Sequence, residues 1–163
     1  MNKKILLIVG KSGSGKDYLC NLFQLKMAVS HTTRLPRKGE KNGVDKHFHS
    51  LTSFDEEEFN SNKKIVAKTK RGEDYYWITE EDLSMSEAFI VDVKGVETMY
   101  NHYGKDNFYK FFKIIYFDVG KDTRVKNMKI RGDNEEEINR RLEIDEVEFK
   151  NIVNFEHSTI YMV

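Results

Sequence analysis

Eight consecutive residues, Gly10-Lys11-Ser12-Gly13-Ser14-Gly15-Lys16-Asp17, carry the clearest chemistry in the chain. The glycines let the backbone turn tightly, so that successive N–H groups point into one cavity. The apolar run Ile5-Leu6-Leu7-Ile8-Val9 precedes them, and the helix-like Tyr18-Leu19-Cys20-Asn21-Leu22-Phe23 follows. Strand, glycine-rich turn and helix together read as a phosphate-binding loop, the P-loop, with the helix N-terminus adding partial positive charge. Gly10, Ser12, Gly13, Ser14 and Gly15 would cradle phosphates, and Lys16 would reach the outer phosphates of a nucleoside triphosphate. Asp17 stands where a Ser or Thr hydroxyl usually meets Mg2+. A carboxylate is also a hard oxygen ligand for that ion. Two readings of Asp17 stay open: a direct or water-mediated Mg2+ contact, and a helix N-terminal carboxylate with no further role.

More charged groups follow. Arg34 and Arg37 flank Pro36 in a segment, 30–45, too polar and turn-rich for a core. Guanidinium forks match phosphate oxygens in pairs. By composition alone the segment also reads as a solvated basic loop. Asp92 closes an apolar run at 88–93 and so stands at the carboxyl end of a strand, where α/β folds place ligand chemistry. The plainer reading is a solvated acid. Arg131 and Arg141 bracket the turn Arg131-Gly132-Asp133-Asn134 and the acidic start of a helix, which by itself reads as a solvated face.

The elements that must position these groups alternate between strand and helix patterns. A short strand is expected at 27–30, another at 47–49, and a capped acidic helix at 53–59. Strands at 65–69 and 74–78 are joined by the turn Lys70-Arg71-Gly72-Glu73. Tyr75, Tyr76 and Trp77 read as aromatic packing on this small sheet unless one of them serves a ligand. A buried strand at 88–93, a helix at 96–103, a strong strand at 111–118, helices from 122 and from 135, and a last core strand at 158–163 complete the pattern.

With 163 residues the chain is one domain with room for a core. Zero formal net charge implies no broad basic surface, hence no nucleic acid polymer as partner. Cys20 is the single cysteine, expected as a small core residue, and fits a reducing, cytoplasmic setting. No apolar run approaches a membrane span and no leader pattern opens the chain, so no membrane partner is expected.

Ser30-His31-Thr32-Thr33-Arg34-Leu35-Pro36-Arg37-Lys38-Gly39-Glu40-Lys41-Asn42-Gly43-Val44-Asp45 resembles the signature S-x-T-T-R-x-P-R-x-G-E-x-x-G-x-D of guanylate kinases. The resemblance spans roughly residues 3–160, tight at the P-loop and this segment and loose elsewhere. It implies a three-layer α/β P-loop nucleoside-monophosphate-kinase fold with a five-stranded parallel sheet, an acceptor-binding insert at about 34–80 and a lid near 131–136. In that likeness Arg34 and Arg37 grip the acceptor phosphate, Ser30 lies near the base, and Tyr76 bonds the acceptor phosphate. Asp92 matches one of two base-facing aspartates, the other position being Ile90. Arg131 and Arg141 match lid arginines, while the first lid arginine falls on Asn127, with Lys126 or Arg124 as stand-ins.

The departures fall on the base pocket and the end of the chain. Lys46 replaces a phosphate-binding tyrosine, and Ala67 falls where the family's guanine-reading glutamate is expected. Trp77-Ile78 replaces a Gly-Ser pair, leaving Thr79 as the nearest hydroxyl. No counterpart of the family's terminal, adenine-framing helix follows. The implied activity is ATP- and Mg2+-dependent phosphorylation of a nucleoside monophosphate, GMP or dGMP first, by a monomer or homodimer. Two alternatives are kept: a kinase for another or modified deoxynucleotide, as in viral nucleotide metabolism, and a non-catalytic module binding a phosphorylated peptide through Arg34 and Arg37.

Overall fold

The computed structural model describes residues 4–162. In chain order they form β1 (Ile5–Gly10), α1 (Lys16–Leu22), β2 (His31–Thr32), β3 (His47–Phe48), α2 (Glu56–Ser61), β4 (Ile65–Arg71), β5 (Asp74–Thr79), α3 (Glu80–Ser84), β6 (Ala88–Ile90), α4 (Val93–Tyr103), α5 (Lys105–Phe111), β7 (Phe112–Val119), α6 (Lys121–Arg131), α7 (Glu135–Glu148) and β8 (His157–Met162).

The apolar run of β1 is buried on both faces, as a central parallel strand requires. Leu7 and Val9 face a core shared with α4, α5 and β7, whereas Ile8 packs with Cys20 of α1 and Phe117. Helices therefore cover both faces of the sheet, giving three layers. The strand order is β6-β1-β7-β8, all parallel, with Leu7 opposite both Phe89 and Ile114.

The expected fifth strand is corrected to a single bridge. Met27 pairs with Ala88, and the Ala28 N–H donates to the Ala88 carbonyl at 2.8 Å. The chain then leaves this sheet, because the Ser30 carbonyl accepts the His47 N–H and β2 pairs with β3 and β5. A second correction concerns β8. It lies at the sheet edge, with Ile160 and Tyr161 exposed, rather than in the core; Val163 of that expected strand lies outside the described residues.

The second sheet has the order β3-β2-β5-β4. Its register sorts side chains onto two faces. His47, His31, Trp77 and Lys68 lie in one cross-strand row, and Phe48, Thr32, Tyr76 and Thr69 in the next. The two sheets share one core, since Val66, Ala67 and Ile78 pack in the same cluster as Leu7 and Val9. The acidic helix starts later than its sequence suggests: α2 is capped by Asp55, whose carboxylate accepts the Glu57 and Glu58 N–H groups. Two short helices, α3 and α5, have weak sequence signatures and appear only in the structure.

Candidate active site

The glycine-rich loop joins β1 to α1, and α1 begins at Lys16, two residues before the helical pattern is evident in the sequence. Gly15 takes the left-handed conformation at φ 76° that the tight entry requires. Gly13 is also left-handed, and a Cβ there would sit 2.4 Å from the Arg124 carbonyl oxygen. The loop thus packs directly on α6.

The Lys16 ammonium is folded back into the loop. It donates to the carbonyls of Gly10 (2.6 Å) and Lys11 (3.1 Å) and to Ser14 Oγ (3.2 Å). Burial pulls its pKa down to about 8, against the attraction of Asp17 and Asp145 and with help from Arg71 and Arg131. Asp17 is exposed in the first turn of α1, and its charge acts on both Lys16 and Lys46.

Two residues of α6 and one of α7 hold the loop in place. The Ser12 N–H donates to Asp145 Oδ2 at 2.7 Å, and Ser12 Oγ to Oδ1 at 3.3 Å. Asp145 is itself paired at 3.4 Å with Arg124, whose Nε donates to the Val119 carbonyl. Both side chains are almost fully buried. Asn127 Nδ2 donates to the Gly13 carbonyl at 2.8 Å. Arg124 is therefore structural, and its suggested service as a lid arginine is corrected. The sequence hid Asp145 among the many acids of α7.

The residues expected to hold an acceptor lie on or next to the second sheet. Ser30 is buried and its Oγ accepts from the Lys46 ammonium at 2.6 Å. Burial lowers the Lys46 pKa, with Arg34 and Arg37 adding to it and Asp17 and Glu40 opposing it. Arg34 makes a bidentate pair with Glu40, both bonds 3.0 Å, and its guanidinium lies over the Phe48 ring. Arg37 is exposed, and its backbone N–H donates to Glu40 at 2.6 Å. Desolvation lowers its pKa first, then the neighbouring charges of Arg34, Arg141 and Arg131. The positive charges of Arg34, Arg131 and Arg141 thus all act on Arg37.

Arg131 closes α6 and pairs with Asp133 through both its Nε and a terminal nitrogen. Arg141 on α7 pairs with Glu137 at 2.7 Å. Its Nε is buried without a hydrogen-bond acceptor among the described residues. Glu137, held by Arg140 and opposed by burial, with Arg141 also favouring its charged form, has its pKa lowered to about 2.

Asp92 is the N-cap of α4. Its Oδ1 accepts from Gly95 N–H (2.6 Å) and Thr69 Oγ1 (3.2 Å), and its Oδ2 pairs with Arg71. Arg71 also reaches Glu148 at 3.0 Å. Arg71, placed in a turn by the sequence reading, is the last residue of β4 and ties the second sheet to α4 and α7. Tyr76 shares the face of Thr32 and Thr69, whereas Tyr75 and Trp77 pack with Phe54 and Phe59 on the opposite face. Thr79 is occupied as the N-cap of α3 and does not replace the lost hydroxyl. Ala67 is buried, so no acid stands at that position.

On the sheet face away from Tyr76, the imidazoles of His31 and His47 and the carboxylate of Asp82 form a group of potential metal ligands.

These features define a class: an α/β protein with a P-loop on its parallel sheet and a second, smaller sheet bearing basic residues, resembling guanylate kinases in fold. The family model described as guanylate kinase matches residues 2–160, and the chain belongs to the guanylate kinase family. Among curated relatives, a guanylate kinase of Malacoplasma penetrans is 50% identical over 64 residues, covering 36% of this chain and 30% of that protein. The guanylate kinase of Schizosaccharomyces pombe is 41% identical over 73 residues, covering 41% and 32%. That of Cupriavidus metallidurans is 40% identical over 55 residues, covering 31% and 26%. The chain thus spans about a third or less of these relatives' length. The solved guanylate kinase of Anaplasma phagocytophilum shares the fold with a TM-score of 0.63 and 20% identity, over 97% of this chain and 76% of that one. Among the described residues no helix is long and apolar enough to cross a membrane.

Proposed function

We propose that the protein transfers the γ-phosphoryl group of ATP to a nucleoside 5′-monophosphate, with GMP or dGMP preferred. The observation that carries this reading is a P-loop lysine held only by neutral oxygens, with the charges of Arg34, Arg131 and Arg141 acting together on Arg37. The buried Nε of Arg141 has no hydrogen-bond acceptor among the described residues, only the Asp133 carboxylate at 3.9 Å, and is a donor that an anion could satisfy. Lys16, bonded only to neutral oxygens, is likewise ready for phosphate.

In this reading Gly10, Ser12, Gly13, Ser14, Gly15 and Lys16 hold the donor phosphates. Arg34, Arg37, Lys46 and Tyr76 hold the acceptor phosphate, and Ser30 lies near the base. Arg131 and Arg141 close over the group in transit. Asp17 would hold Mg2+, since its carboxylate is exposed in the first turn of α1, next to Lys16, and is a hard oxygen ligand. When bound, that ion would neutralise phosphate charge. The chain's own task is to place two anions in line and exclude water. No general base is needed, because a phosphate oxygen is already an anionic nucleophile.

Asp92 is the acid that would accept from the guanine N1–H and 2-amino edge. Its oxygens already serve Arg71, Thr69 and the α4 cap, so it reads guanine by sharing those lone pairs. With Ala67 where a second acid is expected, discrimination should be looser than a two-acid site gives. An ADP-release assay across ribo- and deoxynucleoside monophosphates tests the proposal. GMP or dGMP should turn over fastest. A pyrimidine monophosphate turning over well, with GMP and dGMP nearly inert, would reject the guanine assignment.

A further inference from the structure

We propose that the outer face of the second sheet is a binding site for a divalent first-row transition metal, with His31, His47 and Asp82 as ligands. The site is independent of phosphoryl transfer. Register places it there: His31 is the cross-strand partner of both His47 and Trp77, and its neighbours Ser30 and Thr32 project from the other face. The His31 and His47 rings stack with centroids 4.6 Å apart. His31 Nε2 lies 3.1 Å from Asp82 Oδ2, and one ligand atom from each of the three residues falls within 4.8 Å of the others. All three are half-buried, so the rotations that would close the ligand atoms to about 2.0–2.1 Å from an ion are open to them.

The donor set selects the metal class. Two imidazole nitrogens and one carboxylate suit zinc and its neighbours, whereas Mg2+ and Ca2+ take oxygen ligands. The outer partners have the pattern of a built site. The other ring nitrogen of His31, Nδ1, lies 2.8 Å from His49 Nε2, which can fix its tautomer. Asp82 is oriented by the Thr79 hydroxyl (2.6 Å) and N–H (2.9 Å) in a capping box. A bound ion would join β2, β3 and α3, the strands and helix directly behind Ser30 and Thr32.

The test uses the full chain stripped with chelator and titrated with ZnCl2, and separately with CoCl2. One equivalent of Zn2+ should bind, and at a hundredfold excess over Kd it should raise Tm by about 5–10 °C. His47→Ala should remove that equivalent, and Asp82→Asn should weaken it at least about tenfold. Co2+ should give visible d–d absorption and shift the imidazole proton resonances of His31 and His47 before those of His102 and His157. This last measurement needs no variant and stands if one fails to fold. Zn2+ binding that is absent, or that survives His47→Ala with the same stoichiometry, would overturn the site. So would Co2+ shifts centred elsewhere.

Discussion

The donor and acceptor sides hold their cations in opposite ways. Lys16 rests on two carbonyls and a hydroxyl, with no carboxylate in direct contact. Three arginines outside the loop are instead matched to internal acids, Arg34 to Glu40, Arg131 to Asp133 and Arg141 to Glu137, while Lys46, like Lys16, rests on a neutral hydroxyl. The donor loop is therefore a finished cradle whose ammonium is under-compensated. In the proposed kinase reading a phosphate would displace those carboxylates, so the charges of Arg34, Arg131 and Arg141 would become available as the pairs open. That competition would cost affinity and tie opening of the pairs to occupancy.

The largest way to break this contrast is to remove the scaffold of the donor loop. Asp145→Ala strands the buried Arg124 charge and frees the Ser12 N–H, and should cost about 3–5 kcal/mol in urea unfolding. Adding Arg124→Leu should recover most of that loss. An additive double variant would mean that the pair is not coupled.

Lys16→Ala comes next. It should lower kcat by about 10²–10³-fold, the range for losing one charge-stabilising donor, without lowering Tm. Unchanged turnover in the folded variant would remove Lys16 from the mechanism.

Arg34→Ala and Arg37→Ala should each raise the acceptor KM roughly 10- to 100-fold, at about 1.5–3 kcal/mol per charged hydrogen bond. The ATP KM should move by no more than about threefold. Equal effects on both substrates would place these arginines on the donor side.

A smaller effect is expected from pH. The Lys16 pKa lies at about 8 in the free protein, below the ordinary lysine value, so its charge is present below that pH and is lost above it. The ATP KM should then rise by at most about tenfold per unit above pH 8, and Lys16→Arg should flatten that limb. For stability the sign is reversed. The folded state binds fewer protons than the unfolded chain between about 8 and 10.5, so this group favours folding more as pH rises through that window.

The smallest expected change sharpens the base pocket. Asp92→Asn keeps a good α4 cap and should reduce guanine turnover a few-fold more than that of other bases. Equal reductions for every base would leave Asp92 with its Arg71 and helix-cap contacts alone.

Local patterns made much of this legible in the sequence. The P-loop context, the buried run of β1 and the arginine segment are contiguous, so spacing alone exposes them. Contacts made at long range were hidden. Asp145 and Glu148 lie three residues apart in an acidic helix that looks solvated, yet one clamps Ser12 and the other meets Arg71. Arg71 looked like a turn residue because the β4–β5 connection is shorter than the charged stretch suggests. The fifth strand dissolved because residues 30–32 serve the second sheet instead. The histidine row was invisible because only strand register aligns His31 with His47 and with Trp77.

The most direct measurement is equilibrium binding of ATP and GMP, each alone, to the wild type, Lys16→Ala and Arg37→Ala. Lys16→Ala should weaken ATP and leave GMP within about threefold, and Arg37→Ala should do the reverse. Both variants losing the same nucleotide, or both nucleotides equally, would contradict the division of the cleft into two separately held phosphate sites.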